Sequence, residues 1–379
     1  MRLAFLLYKY FPYGGMQRDF RRFVEEVQVR GHTVRVYFIR WQGEPLAGVD
    51  ARQVPVRALS NNRRNARYLD WVQADLARDP VDGVVGFNKM PGLDVYYAAD
   101  SCYLDKALQE RGWLYRLTPR FRHFAAYERA VFAADGHTEI LLISETEKAK
   151  FLRHYHTPQH RLHMLPPGIA PDRRAGLDAP ARRAAKRAEL GLAEGEHMLL
   201  FVGSGFIKKG LARAIRALAS LREQGLPARL FVVGQDKEAG FRRQVASLGM
   251  TGQVHFLGGR DDVPDLLLAA DVLVHPALDE AAGIVLLEAL VAGLPVVVTD
   301  VCGYAHHIGA AGAGRVLGAP FAQPALETAL KEVLAPPENQ RCRAAALDYA
   351  GREDLYSMHR TGAELIETLL QRKRGNASG

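Results

Sequence analysis

The chain has 379 residues, of which 48% are hydrophobic and 24% charged, and 50 Lys and Arg against 42 Asp and Glu leave a net charge of +8. That length exceeds a single core and predicts two domains, while no apolar run is long enough for a membrane span. The three cysteines are odd in number, far apart and without a Cys-x-x-Cys, which argues against a disulfide framework and a structural zinc site; the basic excess calls for an anionic partner such as nucleic acid, a lipid surface or phosphorylated substrates.

Met1 to Tyr8 is apolar but lacks a small-residue cleavage site, so it reads as a first strand, Leu3 to Tyr8, of a chain expected in the cytoplasm. From there apolar runs alternate with helical patterns, as in a doubly wound α/β protein with parallel sheets. A loop, Lys9 to Gly15, leads into a helix from about Met16 to Arg30, capped by Gly31, and Thr33 to Ile39 is the second strand. A helix at Ala66 to Arg78, a strand at Gly83 to Phe87, a loop at Asn88 to Gly92 and a strand at Val95 to Ala99 follow, with Asp100 closing the last. Gly14 and Gly15 let a ligand approach the backbone or simply make a tight turn. Asp19, in the first helical turn, suits the helix dipole whatever its chemistry. Asp100 lies where ligands of such sheets bind and can touch a sugar hydroxyl or steady positive charge.

Tyr103 to Phe132 interleaves Lys106, Arg111, Arg116, Arg120, Arg122 and Arg129 with Trp113, Leu114, Tyr115, Leu117, Phe121, Phe124 and Phe132. That mixture suits a helical segment lying on an anionic bilayer, or a helix pair that packs its aromatics inward. It matches no recognised nucleic-acid module, so no nucleic-acid partner is expected. After a strand near Ile140 to Ile143 and a helix over Glu145 to Tyr155, Leu165 to Asp172 reads as an interdomain linker, followed by Arg173 and Arg174.

The second half repeats the scheme: strand His197 to Val202, loop Gly203-Ser204-Gly205-Phe206-Ile207-Lys208-Lys209-Gly210, helix Leu211 to Glu223. The glycine spacing departs from a dinucleotide fingerprint, and two lysines among the glycines favour a diphosphate over NAD. Strands at Leu230 to Val233 and Val254 to Leu257 follow. Arg260 can stack on a base, or be a solvated partner of Asp261 and Asp262. Next comes a strand–loop–helix–strand unit between Ala270 and Thr299, with Glu280 in the loop and Gly283 and Ile284 opening the helix. A helix end there is ready for an anion. Glu288, eight residues after Glu280, is expected about 12 Å further on if the whole interval is helical. Two carboxylates flanking an anion site suit a nucleotide sugar; the alternative is a surface helix with solvated acids. The tail from about Gln323 to Arg372 is helical.

The glycine pair after strand one, the basic pair in a glycine loop, and Glu280 and Glu288 with seven residues between resemble the retaining glycosyltransferases of family 4. The runs Leu6 to Asp19, Gly86 to Val95 and Val301 to His306 are similar to the lipopolysaccharide core glucosyltransferases of that family. The resemblance implies the GT-B fold, two facing Rossmann-like domains: an acceptor domain over 1–167, a nucleotide-sugar domain over 168–352, and a helix over 353–379 crossing back to the first. It implies transfer of glucose from UDP-glucose to an inner-core heptose of lipopolysaccharide, with retention, at the cytoplasmic face of the inner membrane to which the enzyme attaches peripherally. By position, Glu288 would bind the ribose; Glu280 and the amides of Ala282, Gly283 and Ile284 the hexose and phosphate; Lys209 and Arg173 the diphosphate; Arg260 the uracil. Gly15 would pass near the diphosphate, with Asp19 and Asp100 near the sugar. Lys208 stands where arginine is expected, keeping charge but losing a bidentate fork. The implied catalytic set is Asp19, Asp100, Lys209 and Glu280. No Asp-x-Asp occurs, and neither a cofactor nor a metal is expected. UDP-galactose or UDP-N-acetylgalactosamine as donor, and a non-enzymatic protein binding an anionic surface, are the competing readings.

Overall fold

The computed structural model describes residues 1–12, 14–170 and 173–377. Tyr13 in the first loop, Pro171 and Asp172 in the expected linker, and Ser378 and Gly379 of the tail lie outside the described residues. The chain forms two units, one of residues 1–168 with 357–379 and one of residues 169–356.

Unit 1 opens with β1 (Arg2–Leu6), β2 (Lys9–Tyr10), α1 (Gly15–Val29), β3 (Thr33–Phe38), β4 (Arg40–Trp41), β5 (Val49–Gln53) and α2 (Asn61–Arg78). It continues with β6 (Gly83–Gly86), β7 (Val95–Ala98), α3 (Tyr103–Glu110), a 3₁₀ turn (Trp113–Leu117), α4 (Pro119–Phe132), β8 (Glu139–Leu142), α5 (Glu145–Tyr155) and β9 (Leu162–Met164). Seven parallel strands lie in the order β5-β3-β1-β6-β7-β8-β9. The buried runs of β1, β3, β7 and β8 are what a sheet covered on both faces requires.

Unit 2 holds α6 (Ala179–Glu189), β10 (His197–Val202), α7 (Leu211–Glu223), β11 (Ala228–Val233), α8 (Ala239–Ser247), β12 (Val254–Gly258) and α9 (Val263–Ala269). Then come β13 (Val272–His275), α10 (Ile284–Val291), β14 (Val296–Thr299), α11 (Ala305–Ala311), β15 (Gly314–Leu317), α12 (Gln323–Leu334) and α13 (Pro336–Arg352). Its six strands are also all parallel, ordered β12-β11-β10-β13-β14-β15. A large apolar cluster covers each face of this sheet.

The last helix, α14 (Met358–Ala377), returns to unit 1 and packs on α1. The divisions fall after Gly168 and Tyr356, whereas the sequence placed them after residues 167 and 352. Residues 353–356 stay with unit 2 because Leu355 is buried in its core and its carbonyl accepts the Ile169 N–H at 2.8 Å.

In both sheets the strand order reverses once, between β1 and β6 in unit 1 and between β10 and β13 in unit 2. Crossovers leave in opposite directions there, so the loops at the carboxyl ends of those strands part and open a crevice. In unit 2 these loops are 203–210 and 276–283.

Candidate functional site

The loops of unit 2's crevice are built against one another. Gly210 has φ +77°, and a Cβ there would lie 2.0 Å from the Pro276 carbonyl oxygen, so glycine is what lets the start of α7 approach the second loop. The Leu278 N–H donates to the Lys208 carbonyl at 2.6 Å. Arg213 of α7 donates to the Pro276 and Ala277 carbonyls at 3.0 and 3.1 Å, and its guanidinium lies 3.7 Å from the Phe321 ring centroid.

Lys209 is drawn across this crevice. Its Cε would be 2.6 Å from a Cβ at Gly203, so the bare glycine leaves the path along which the side chain reaches Glu280, with which it forms an ion pair. Both partners are mostly buried, at 18% and 17% side-chain exposure. Burial pushes the Glu280 carboxyl up, but the neighbouring His275 ring and the Lys209 ammonium outweigh it and hold it at about 2. Lys208 points outward and pairs with Asp279 at 3.1 Å.

Glu280 precedes α10, whose N-cap is Gly283 at φ +82°. Among the described residues the N–H groups of Ala282, Gly283 and Ile284 donate to nothing within the chain, which is the state of a helix start ready for an anion. Only Ile284 onward is helical, so the 12 Å rise expected between the two glutamates does not apply: the first half of that interval is loop. Apart from Ile284 and Glu288 the helix is buried all round. Glu288 is half-buried and, among the described residues, its carboxylate has no hydrogen bond or ion pair within the chain. A second strip, 301–306, braces the site: Cys302 bridges to Glu280 and the Tyr304 N–H donates to the Ala282 carbonyl at 2.9 Å.

Arg173 is half-buried at the start of unit 2, its N–H on the Ala170 carbonyl at 2.9 Å. Arg260 is occupied by Asp262, at 2.7 Å from Nε and 2.5 Å from Nη2, with Glu189 at 3.6 Å. Its solvated-pair reading therefore describes the free chain.

In unit 1, Gly14 caps α1 and Gly15 is its first residue. Asp19 lies beyond the first turn, not in it, and is held by the Tyr97 hydroxyl at 2.8 Å and His359 Nε2 of α14 at 2.9 Å. Asp100 is exposed just beyond β7. The loop it begins is fixed by Lys89, which donates to the Ser101 carbonyl at 2.7 Å and pairs with the fully buried Glu128 at 2.5 Å. Glu128 also accepts from the Tyr103 and Leu104 N–H groups and the Tyr155 hydroxyl, so one carboxylate caps α3 and ties it to α4 and α5. Sequence reasoning missed Glu128 and His275. An acid among Tyr127, Val131 and Phe132 on one buried helix face was the available signal for the first.

The basic aromatic segment divides. Tyr127, Val131 and Phe132 pack inward, as does an ordinary helix. Trp113, Leu114 and Leu117 are 69%, 61% and 57% exposed, with Arg111, Arg116, Arg120 and Arg122 exposed around them.

Two doubly wound parallel sheets, one with a phosphate-ready crevice between a glycine–lysine loop and a helix start, define a glycosyltransferase of the GT-B class. Residues 182–352 match the family Glycosyl transferases group 1. The chain is 49% identical to lipopolysaccharide glucosyltransferase WaaG of Escherichia coli (strain K12) over 97% of its own length and 98% of that protein's. It belongs to this WaaG family of lipopolysaccharide glucosyltransferases. A crystal structure of WaaG matches with a TM-score of 0.90 over 96% of this chain and 99% of that one. Anabaena HepE in complex with UDP-glucose shares the fold, at a TM-score of 0.73 and 18% identity, over 97% of this chain and 100% of that one.

Proposed function

We propose that the chain transfers glucose from UDP-glucose to an inner-core heptose of lipopolysaccharide, with retention and without a metal ion. The observation that carries this reading is the crevice of unit 2, where Lys209 and the free amides of 282–284 meet Glu280 while Glu288 stands unengaged on the same helix. Near full-length similarity to a lipopolysaccharide glucosyltransferase supports the choice of sugar and acceptor.

The chemistry follows from the charges. As the anomeric bond breaks, negative charge grows on the departing diphosphate; Lys209, Arg173 and the α10 start stabilise it without reorganising. Glu280 and Glu288 accept hydrogen bonds from the hexose and ribose hydroxyls. Arg260 reaches uracil by exchanging Asp262 for the base. Gly15 serves the diphosphate, and Asp19 and Asp100 the sugar; Asp19 keeps acceptor capacity beyond its two bonds. The acceptor hydroxyl attacks the same face, and the leaving phosphate takes its proton.

The acceptor is anchored in a membrane, and among the described residues no helix is long and apolar enough to cross one. Peripheral attachment to the anionic cytoplasmic face of the inner membrane falls to Trp113, Leu114 and Leu117 with the surrounding arginines. Apolar insertion and about 1 kcal/mol per well-placed Arg give reversible binding.

The test is a screen of UDP-glucose, UDP-galactose and UDP-N-acetylgalactosamine against lipopolysaccharide lacking its outer core, with and without EDTA, scored by UDP release and product mass. Glucose addition that survives EDTA is expected. Preference for another UDP-hexose would replace the donor, and no transfer from any of them would leave an anionic-surface binder.

A further inference from the structure

The last residue of β13 has no structural reason to be histidine. His275 is fully buried, and among the described residues neither ring nitrogen has a hydrogen-bond partner. Its ring stacks near Phe201, centroids 6.3 Å apart at 22°, a contact that another apolar ring would make as well. Buried polar atoms without partners cost free energy and call for an explanation. Nε2 lies 3.6 Å from Glu280 Oε2, the same oxygen that Lys209 holds.

We infer that His275 is a positioning residue for sugar transfer, acting through Glu280: it holds that carboxylate in place when Lys209 turns to the diphosphate of the donor. This rests on the donor-site reading of Lys209 and Glu280 given above.

In the free chain Lys209 neutralises Glu280. A diphosphate offers the ammonium a stronger negative charge, and once Lys209 serves it, the largely buried Glu280 loses its cation just when it must face a hexose. His275 is the remaining group behind it. Burial pushes the imidazole below its ordinary value, so at neutral pH the ring is uncharged and offers one N–H, which the adjacent carboxylate draws to Nε2. A neutral donor suits this position. It steadies the carboxylate without adding a cation that would compete with Lys209. Closing the gap from 3.6 Å to about 2.8 Å makes a charge-assisted hydrogen bond, a small movement for a loop side chain.

The test compares His275→Phe, which keeps a ring and removes both nitrogens, with His275→Gln, whose amide nitrogen reaches the place of Nε2; His275→Met stands in if the phenylalanine variant does not fold. For each, urea unfolding, affinity for UDP, affinity for UDP-glucose and kcat are measured, alone and with Glu280→Gln. The expected result is a fold and a UDP affinity close to those of the parent, a kcat at least tenfold lower in the phenylalanine variant and largely regained with glutamine. The advantage of UDP-glucose over UDP should shrink equally in His275→Phe, in Glu280→Gln and in the double variant, because both changes remove one interaction. A parental kcat in His275→Phe beside an inactive Glu280→Gln overturns the inference alone. Full activity in Glu280→Gln overturns the donor-site reading beneath it.

Discussion

Replacing Lys209 by methionine separates what the Lys209–Glu280 pair does for the fold from what it does for the reaction. The Glu280 carboxyl sits at about 2 instead of its ordinary 4.5, a preference for the charged form of roughly 3 kcal/mol. His275 and Lys209 supply it against the opposing effect of burial. Removing the ammonium leaves a carboxylate with 17% side-chain exposure and no cation, a loss of about 2–3 kcal/mol from unit 2, at the lower end for a broken buried pair. Glu280→Gln strands the ammonium instead, and costs about 1–2 kcal/mol because a lysine can turn its head to water. The double variant has no unpaired charge and should recover to within about 1 kcal/mol of the parent. Turnover should not recover: all three proteins should fall by at least about a hundredfold, or about 2.7 kcal/mol of transition-state stabilisation. Urea unfolding by far-UV circular dichroism reads the stability. Tryptophan fluorescence is an internal control, because Trp41, Trp71 and Trp113 all lie in unit 1. Strictly additive stability losses in the double variant would show that the two side chains do not share an interaction. Turnover near the parent's in any of the three would remove them from the chemistry.

Glu288→Ala should weaken UDP itself by about tenfold, from the loss of a charged acceptor to the ribose; unchanged UDP affinity by calorimetry rules out the ribose role. Replacing Arg116, Arg120 and Arg122 by glutamine should lower binding to vesicles with anionic lipid while leaving donor affinity intact, and added salt should mimic the substitution. A triple variant that binds such vesicles as the parent does makes the segment ordinary packed helix. His307 is held at about 4 by burial and by His306, against an ordinary 6.5, so its folded form takes up a proton less readily than its unfolded one. Unit 2 is then most stable above pH 6.5 and loses up to about 3 kcal/mol as the pH falls to 4; His307→Gln should flatten that slope in acid unfolding curves, and an unaltered slope assigns the loss elsewhere.

The heart of unit 2 was legible because its strands are covered on both faces. Ala270 to Val274 and Leu294 to Thr299 read as short buried strands, and the helix between them is apolar all round except for its acid. β5 was not legible: it is an edge strand of Val, Asp, Ala, Arg and Gln with mostly exposed side chains, and pairing with β3 rather than pattern makes it a strand. The glycine–lysine loop could be marked as a phosphate site, but not that Gly203 bares the path of Lys209, which depends on how the loop folds back. His275 was visible only as the residue after a strand. Its significance comes from what surrounds it in space. Asp19 was read from its neighbours in sequence, yet it is bound by His359, 340 positions away.

That bond has a consequence for synthesis. The helix carrying His359 emerges from the ribosome only after all of unit 2, so unit 1 must wait, one face of α1 uncovered, while residues 169–356 are translated. At bacterial elongation rates the wait is roughly 10–40 s, far longer than helices and hairpins need to form. Phe23, whose ring lies 5.2 Å from that of His359 and also meets Phe87 and Tyr97, has only its neighbours from the earlier part of unit 1 during this interval, and its packing is completed when the last helix docks.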